Sequence, residues 1–119
     1  MHRLFSFSEA LVIDIMAFLT LKDISSAQAA AVGKAAVSEV EKIIPRCGKP
    51  RYDTIEDEDM KVIVWSYSST GRLSYEPVHK SKLCDYPSDY FQVLDYVSFA
   101  IRLYEALETV REVRIRSGK

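Results

Sequence analysis

The chain has 119 residues, 48% of them hydrophobic and 28% charged, with four Gly and four Pro. That length allows one domain with a single core, and the composition excludes disorder, collagen-like repetition and low complexity. Sixteen basic residues against seventeen acidic ones leave the molecule nearly neutral, so no long-range field drives it onto nucleic acid or an anionic membrane.

The first segment has the outline of a signal peptide: Met1-His2-Arg3, an apolar stretch from Leu11 to Leu21, and Ala27-Gln28-Ala29. Glu9 and Asp14 argue against it, because an Asp inside a short apolar region costs ~2.5–3.5 kcal/mol of insertion free energy. No apolar run reaches the ~18–20 residues a membrane span needs. The expected location is cytoplasmic, with no membrane partner.

A first helix is predicted from Phe7 to Leu21, opened by Ser6 and Glu9 at capping-box spacing. Leu11, Ile15 and Phe18 form one apolar stripe, and Val12, Met16 and Leu19 a second, so the helix packs on two sides. Lys22-Asp23-Ile24 leads into a second helix, which starts at Ser25 or Ser26 and stops at Ile44, because Pro45 disfavours helical geometry just before it. Its inner stripe is Ala29, Gly33, Ala36, Val40 and Ile43. Gly33 lowers helix propensity by ~1 kcal/mol relative to Ala, for which close helix packing compensates.

The acidic run Glu56-Asp57-Glu58-Asp59 is contiguous, whereas a calcium loop alternates its oxygens around a Gly; it reads as a solvated loop. Met60 to Val78 reads as a β-hairpin. A three-residue loop, Ser69-Thr70-Gly71 with Gly71 left-handed, pairs Ser68 with Arg72. Tyr67 then faces Leu73, Trp65 faces Tyr75 and Ile63 faces Pro77. Ile63, Trp65, Tyr67, Leu73 and Tyr75 share the face expected to cover the helices; slipping the register by one residue would split that set.

A last helix is predicted from a cap at Ser88 or Asp89 to about Ile115, ~35–40 Å long. Tyr96, Phe99, Leu103, Ala106, Val110 and Val113 fall at alternating three- and four-residue steps, the spacing of a coiled-coil seam. These six residues form the expected dimer interface. A second stripe comprises Val93, Val97, Ala100, Tyr104 and Leu107. Glu108 with Arg111 and Glu112 with Arg116 are expected as charge pairs along the helix.

The fold class is therefore α+β, in the order α-α-β-β-α. It is a single domain over 1–119, with a helical pair over 1–44, the hairpin over 60–80 and the long C-terminal helix over 88–116.

Chemistry-bearing motifs are sparse. The sequence contains no Gly-rich phosphate loop, G-x-S-x-G elbow or H-E-x-x-H. Cys47 and Cys84 lack C-x-x-C spacing and read as free thiols. Together with His79 they lack the tight spacing of a zinc site, so no metal or cofactor is expected. His79 reads as a surface histidine, although a Cys84–His79 nucleophile pair stays open, and no enzymatic activity is expected.

Arg3-Leu4-Phe5-Ser6, followed by a helix, a short turn and another helix, resembles the wing end and following helices of mercury-resistance-regulator (MerR) type DNA-binding domains. That family's pattern is Arg-x-Tyr-Ser/Thr, with Phe5 here in place of Tyr. The likeness covers the first 44 residues, and the family's recognition helix has no counterpart in the chain. It implies that Arg3 touches a DNA phosphate, that Phe5 packs the wing against helix one, and that the long last helix forms an antiparallel dimer coil. Phosphate contacts of this kind set register and affinity without reading sequence. Thr20–Ile24 with Ala31–Val40 also resembles the helix-turn-helix of lactose-repressor-type regulators, with Glu39 where a basic residue belongs. Through Pro45 there are four basic residues (Arg3, Lys22, Lys34, Lys42) against five acidic ones, a balance that opposes DNA binding.

The expectation is a small regulatory or interaction protein resembling a transcription regulator, a homodimer through its last helix, contacting the DNA backbone. The alternative is a non-enzymatic protein–protein adaptor or accessory protein of phage-like type, without nucleic-acid contact.

Overall fold

A computed structural model describes residues 6–87 and 90–116, with side chains as far as Val110. Helix α1 spans Phe7–Thr20. Its capping box forms as expected: the Glu9 amide donates to Ser6 Oγ at 3.1 Å, and the Ser6 amide donates to Glu9 Oε1 at 3.4 Å. Leu11, Ile15 and Leu19, one helical turn apart, are fully buried. Val12 and Met16 pack at the margin, while Ile13 and Phe18 face outward. Asp23 takes a positive φ of 63° in the turn that follows, and Ile24 folds back into the core.

Helix α2 spans Ser26–Cys47, with Ser25 Oγ accepting the Gln28 amide at 3.3 Å. It does not stop at Ile44. Pro45 lies within the helix, at an exposed position, where the Glu41 carbonyl that loses its usual donor also belongs to an exposed residue. Solvation of that carbonyl lets the helix continue until Gly48, at φ 70°, ends it. The inner stripe of Ala29, Gly33, Ala36, Val40 and Ile43 is buried as expected.

The two helices lie side by side and antiparallel. Gly33 packs against Val12, Ile15 and Met16. Toward the start of α1, Ser8, Glu9 and Val12 border a groove with Lys34, Val37 and Glu41.

Strands β1 (Lys61–Tyr67) and β2 (Leu73–His79) form the hairpin in the expected register, pairing Tyr67 with Leu73, Trp65 with Tyr75 and Ile63 with Pro77. The Ser68 amide donates to the Arg72 carbonyl at 2.9 Å, and Gly71 has φ 80°. Ile63 and Trp65 enter the helical core with Leu73 at its edge. Tyr67 and Tyr75 stay exposed, Tyr67 donating its hydroxyl to Gln28 Oε1 on α2 at 2.9 Å.

A third strand, β3 (Gln92–Leu94), pairs antiparallel with the other edge of β1, giving the order β2-β1-β3. This segment falls within the predicted long helix but is a strand. The last helix, α3, instead spans Tyr96–Arg116, and its N-cap is Asp95, not Ser88 or Asp89, which lie outside the described residues. Asp95 Oδ1 accepts the Ser98 amide at 3.1 Å and Oδ2 the Ser98 hydroxyl at 2.9 Å. Both faces of β1 are buried: Val62 and Val64 are as covered as Ile63 and Trp65. Beyond β2, Tyr86 reaches back to donate to Glu76 at 2.7 Å and packs on Phe91, with ring centroids 4.7 Å apart.

Candidate functional site

Burial along α3 falls off steeply. Tyr96, Val97, Ala100 and Ile101 belong to the core, Leu103 and Tyr104 are half-buried, and from Glu105 the helix is largely bare. Leu107 and Val110 are 45% and 53% exposed. The expected six-residue seam is therefore divided. Tyr96, 1% exposed, is corrected out of any dimer interface: it starts the helix, where the sheet and α2 enclose it. Phe99 packs edge-on to Phe18, with centroids 5.2 Å apart, under the Arg102 guanidinium at 4.9 Å. Leu103 borders the core, and Ala106 and Val110 face solvent. The Val113 side chain lies outside the described set. Arg3 and Phe5, the expected DNA-backbone residues, lie outside the described residues as well.

Glu108 is bonded both along α3 and across to the segment after α2, and the side chain of Arg111, its expected partner, lies outside the described set. Its carboxylate accepts the Tyr104 hydroxyl at 2.9 Å and Arg51 Nη2 at 3.1 Å, with Lys49 Nζ 3.8 Å away. The Tyr104 hydroxyl, and then Arg51 against the opposing effect of burial, hold the Glu108 carboxyl below its ordinary value. Lys49, Tyr104 and Glu108 line an apolar cleft of about 340 Å³ together with Phe7, Ile44, Pro50 and Leu107.

A second cleft, of about 230 Å³, is charged. Glu39, Lys42, Ile43 and Arg46 of α2 face Asp59, Lys61 and Tyr96 across it. Lys42 Nζ lies 2.7 Å from Glu39 Oε2. Arg46 grips Asp59 with two nitrogens, Nε donating at 3.3 Å to Oδ2 and Nη2 to Oδ1. Asp59, only 7% exposed, is the acidic-run residue that does not stay in water; the 3-10 turn Asp57–Asp59 carries it inward. The Tyr96 phenol lies beneath this charged layer. Burial, then the charges of Glu39, Asp59 and Asp95, push its ionisation well above the ordinary range, so the hydroxyl is a donor throughout the physiological range.

His79 is committed to the fold. Its Nε2 lies 2.7 Å from the Asp57 carbonyl and donates to it, while Nδ1 accepts the Ser81 amide at 3.1 Å and lies 2.8 Å from Ser81 Oγ. The assignment of Nε2 as the protonated nitrogen follows from the carbonyl, which can only accept. Cys84 is exposed on the 3-10 helix Lys80–Asp85, Cys47 is half-buried, and both are free. Among the described residues no group of His, Cys, Asp and Glu has metal-binding geometry, and no helix is long and apolar enough to cross a membrane. Comparison with protein-family models, with curated proteins and with solved structures returns no match.

The charged cleft was hidden in the sequence. An α2 that ends at Ile44 puts Arg46 in a loop, a solvated Glu56–Asp59 run keeps Asp59 in water, and the seam spacing assigns Tyr96 to a dimer interface. The available signal was Glu39, Lys42 and Arg46 at three- and four-residue steps, which places them on one helix face.

Proposed function

We propose that this chain is a non-enzymatic interaction protein that associates with a second copy of itself through the distal half of α3. The observation that carries the reading is the change along one helix from full burial at Ile101 to bare Leu107 and Val110. Fully burying an aliphatic side chain is worth about 1.5–3 kcal/mol, and a two-fold contact counts each such residue twice. The molecule is also extended, with a radius of gyration of 16.1 Å against roughly 13–14 Å for a compact domain of this length.

Of the two expected classes, the helix geometry favours the adaptor. The lactose-repressor-type likeness needs helices that cross at roughly 90–120°, whereas α1 and α2 run antiparallel along each other. DNA contact rests on the resemblance around Arg3; electrophoretic titration on random duplex at low salt, with Arg3→Ala as comparison, tests it through the salt dependence of phosphate binding. For self-association, light scattering at tens of micromolar should give twice the 13.6 kDa chain mass, and Val110→Lys should return the monomer. A monomer mass for the unaltered chain at those concentrations would remove the reading.

A further inference from the structure

We propose that the outer face of α1 is the surface on which the distal half of α3 from a second copy docks. The inference rests on the self-association reading above and names what that helix meets on its partner.

Ten of the fourteen residues of α1 are apolar, a composition normal for a helix enclosed all round. Only one side of it is enclosed here, where Leu11, Ile15 and Leu19 enter the core. On the other side Ile13, Ala17 and Leu21, at four-residue steps, face solvent. Ile13 is 51% exposed, Leu21 84%, and Phe18 beside them 38%. A contiguous apolar surface of this kind marks an interaction site, and the small Ala17 at its centre lets another helix approach closely.

The course of α3 supplies the occupant. Phe7 meets Tyr104 with ring centroids 6.4 Å apart, and Phe18 meets Phe99 at 5.2 Å. The two helices therefore run antiparallel, and α3 leaves the body past the start of α1. A two-fold axis at that end lays the partner's α1 alongside the departing turns, and the contact then occurs twice. Charge selects the same occupant. Asp14 is exposed beside the apolar stripe of α1, while residues 111–116 of the chain hold three arginines and one glutamate. Docking on α1 sets that basic segment against a carboxylate, whereas two distal segments side by side and parallel would oppose like charges. A lipid surface is the poorer match, because it would take Asp14 into hydrocarbon along with Ile13.

The test is sedimentation equilibrium of the full chain, which gives the dimer dissociation constant. Ile13→Lys and Asp14→Lys should each raise it about tenfold, the effect of losing one well-placed interface residue. Both positions are exposed, so the fluorescence of Trp65, the single tryptophan and a buried one, should not change. Ser69→Lys, at an exposed position on the hairpin loop, should leave the constant unaltered. Adding Arg111→Glu and Arg114→Glu to Asp14→Lys should recover most of the loss, since the charges then exchange sides. A monomer for the unaltered chain would remove the self-association reading and this inference with it. A dimer that Val110→Lys disrupts but Ile13→Lys and Asp14→Lys both leave intact would overturn this inference alone. Binding to anionic phospholipid vesicles that is lost in Ile13→Lys, with the dimer constant unchanged, would put a lipid surface on α1 and overturn it as well.

Discussion

Gly33 has a backbone that could carry a side chain. A Cβ there would sit 3.6 Å from Met16 Cγ, 3.7 Å from Ile15 Cγ2 and 3.7 Å from the Val12 carbonyl, all ordinary contact distances. The closeness of α1 and α2 therefore does not demand glycine. Gly33→Ala should raise stability by about 0.5–1 kcal/mol, the helix-propensity difference, measured by urea unfolding; destabilisation would mean that the helices approach more tightly than these distances. Asp95 works in the other direction. Its carboxylate caps α3 and lies 2.9 Å from Lys80 Nζ. Burial tends to raise its pKa, but Lys80 and the two Ser98 donors outweigh burial and set it below the ordinary value. A depressed carboxyl stabilises the fold above its unfolded pKa of about 3.9, and that contribution is lost as the pH falls through the lowered native value. Asp95→Ala should cost about 1–2 kcal/mol at pH 7. It should also flatten the acid limb of stability below about pH 4, which urea unfolding at several pH values would show.

At the scale of elements, Pro45 and Pro77 act differently. Pro77 lies opposite Ile63, at an odd position of β2. The ladder bonds fall on even positions, as the Ser68–Arg72 and Met60–Lys80 bonds show. The missing N–H of Pro77 thus points to the free edge of the sheet, where it blunts strand addition without costing a bond to β1. Pro45 does cost a bond, and its exposed setting makes that cost recoverable. Pro45→Ala should stabilise the protein by about 1–3 kcal/mol in thermal or urea unfolding, and no gain would mean that the ring packs usefully. What could be read from the sequence follows the same division. Local signals were reliable where one short pattern decides: the Ser6–Glu9 box, the Ser25 cap, and the hairpin register anchored by Gly71. They failed where tertiary contacts decide. Gln92-Val93-Leu94 is too short to announce a strand and exists because β1 offers an edge. The Asp95-x-x-Ser98 cap was masked by apolar residues on both sides that continue the helical spacing.

For the molecule as a whole, the arrangement is a three-stranded sheet and a helical hairpin closing one core, with α3 leaving that core after its second turn. Tyr96 and Val110 share a seam spacing in the sequence but have opposite fates, because spacing reports which face of a helix a residue occupies and not how far the body of the protein extends beneath it. Within α3, the unmet need for cover lies at its far end, at Leu107 and Val110. Hydrogen exchange of the α3 amides at low and high protein concentration tests this most directly. Protection of Ala106–Val110 should rise with concentration while that of Tyr96–Ile101 stays constant, since a second copy covers only the distal turns. Equal exchange at Ala106–Val110 across a hundredfold concentration range would contradict it.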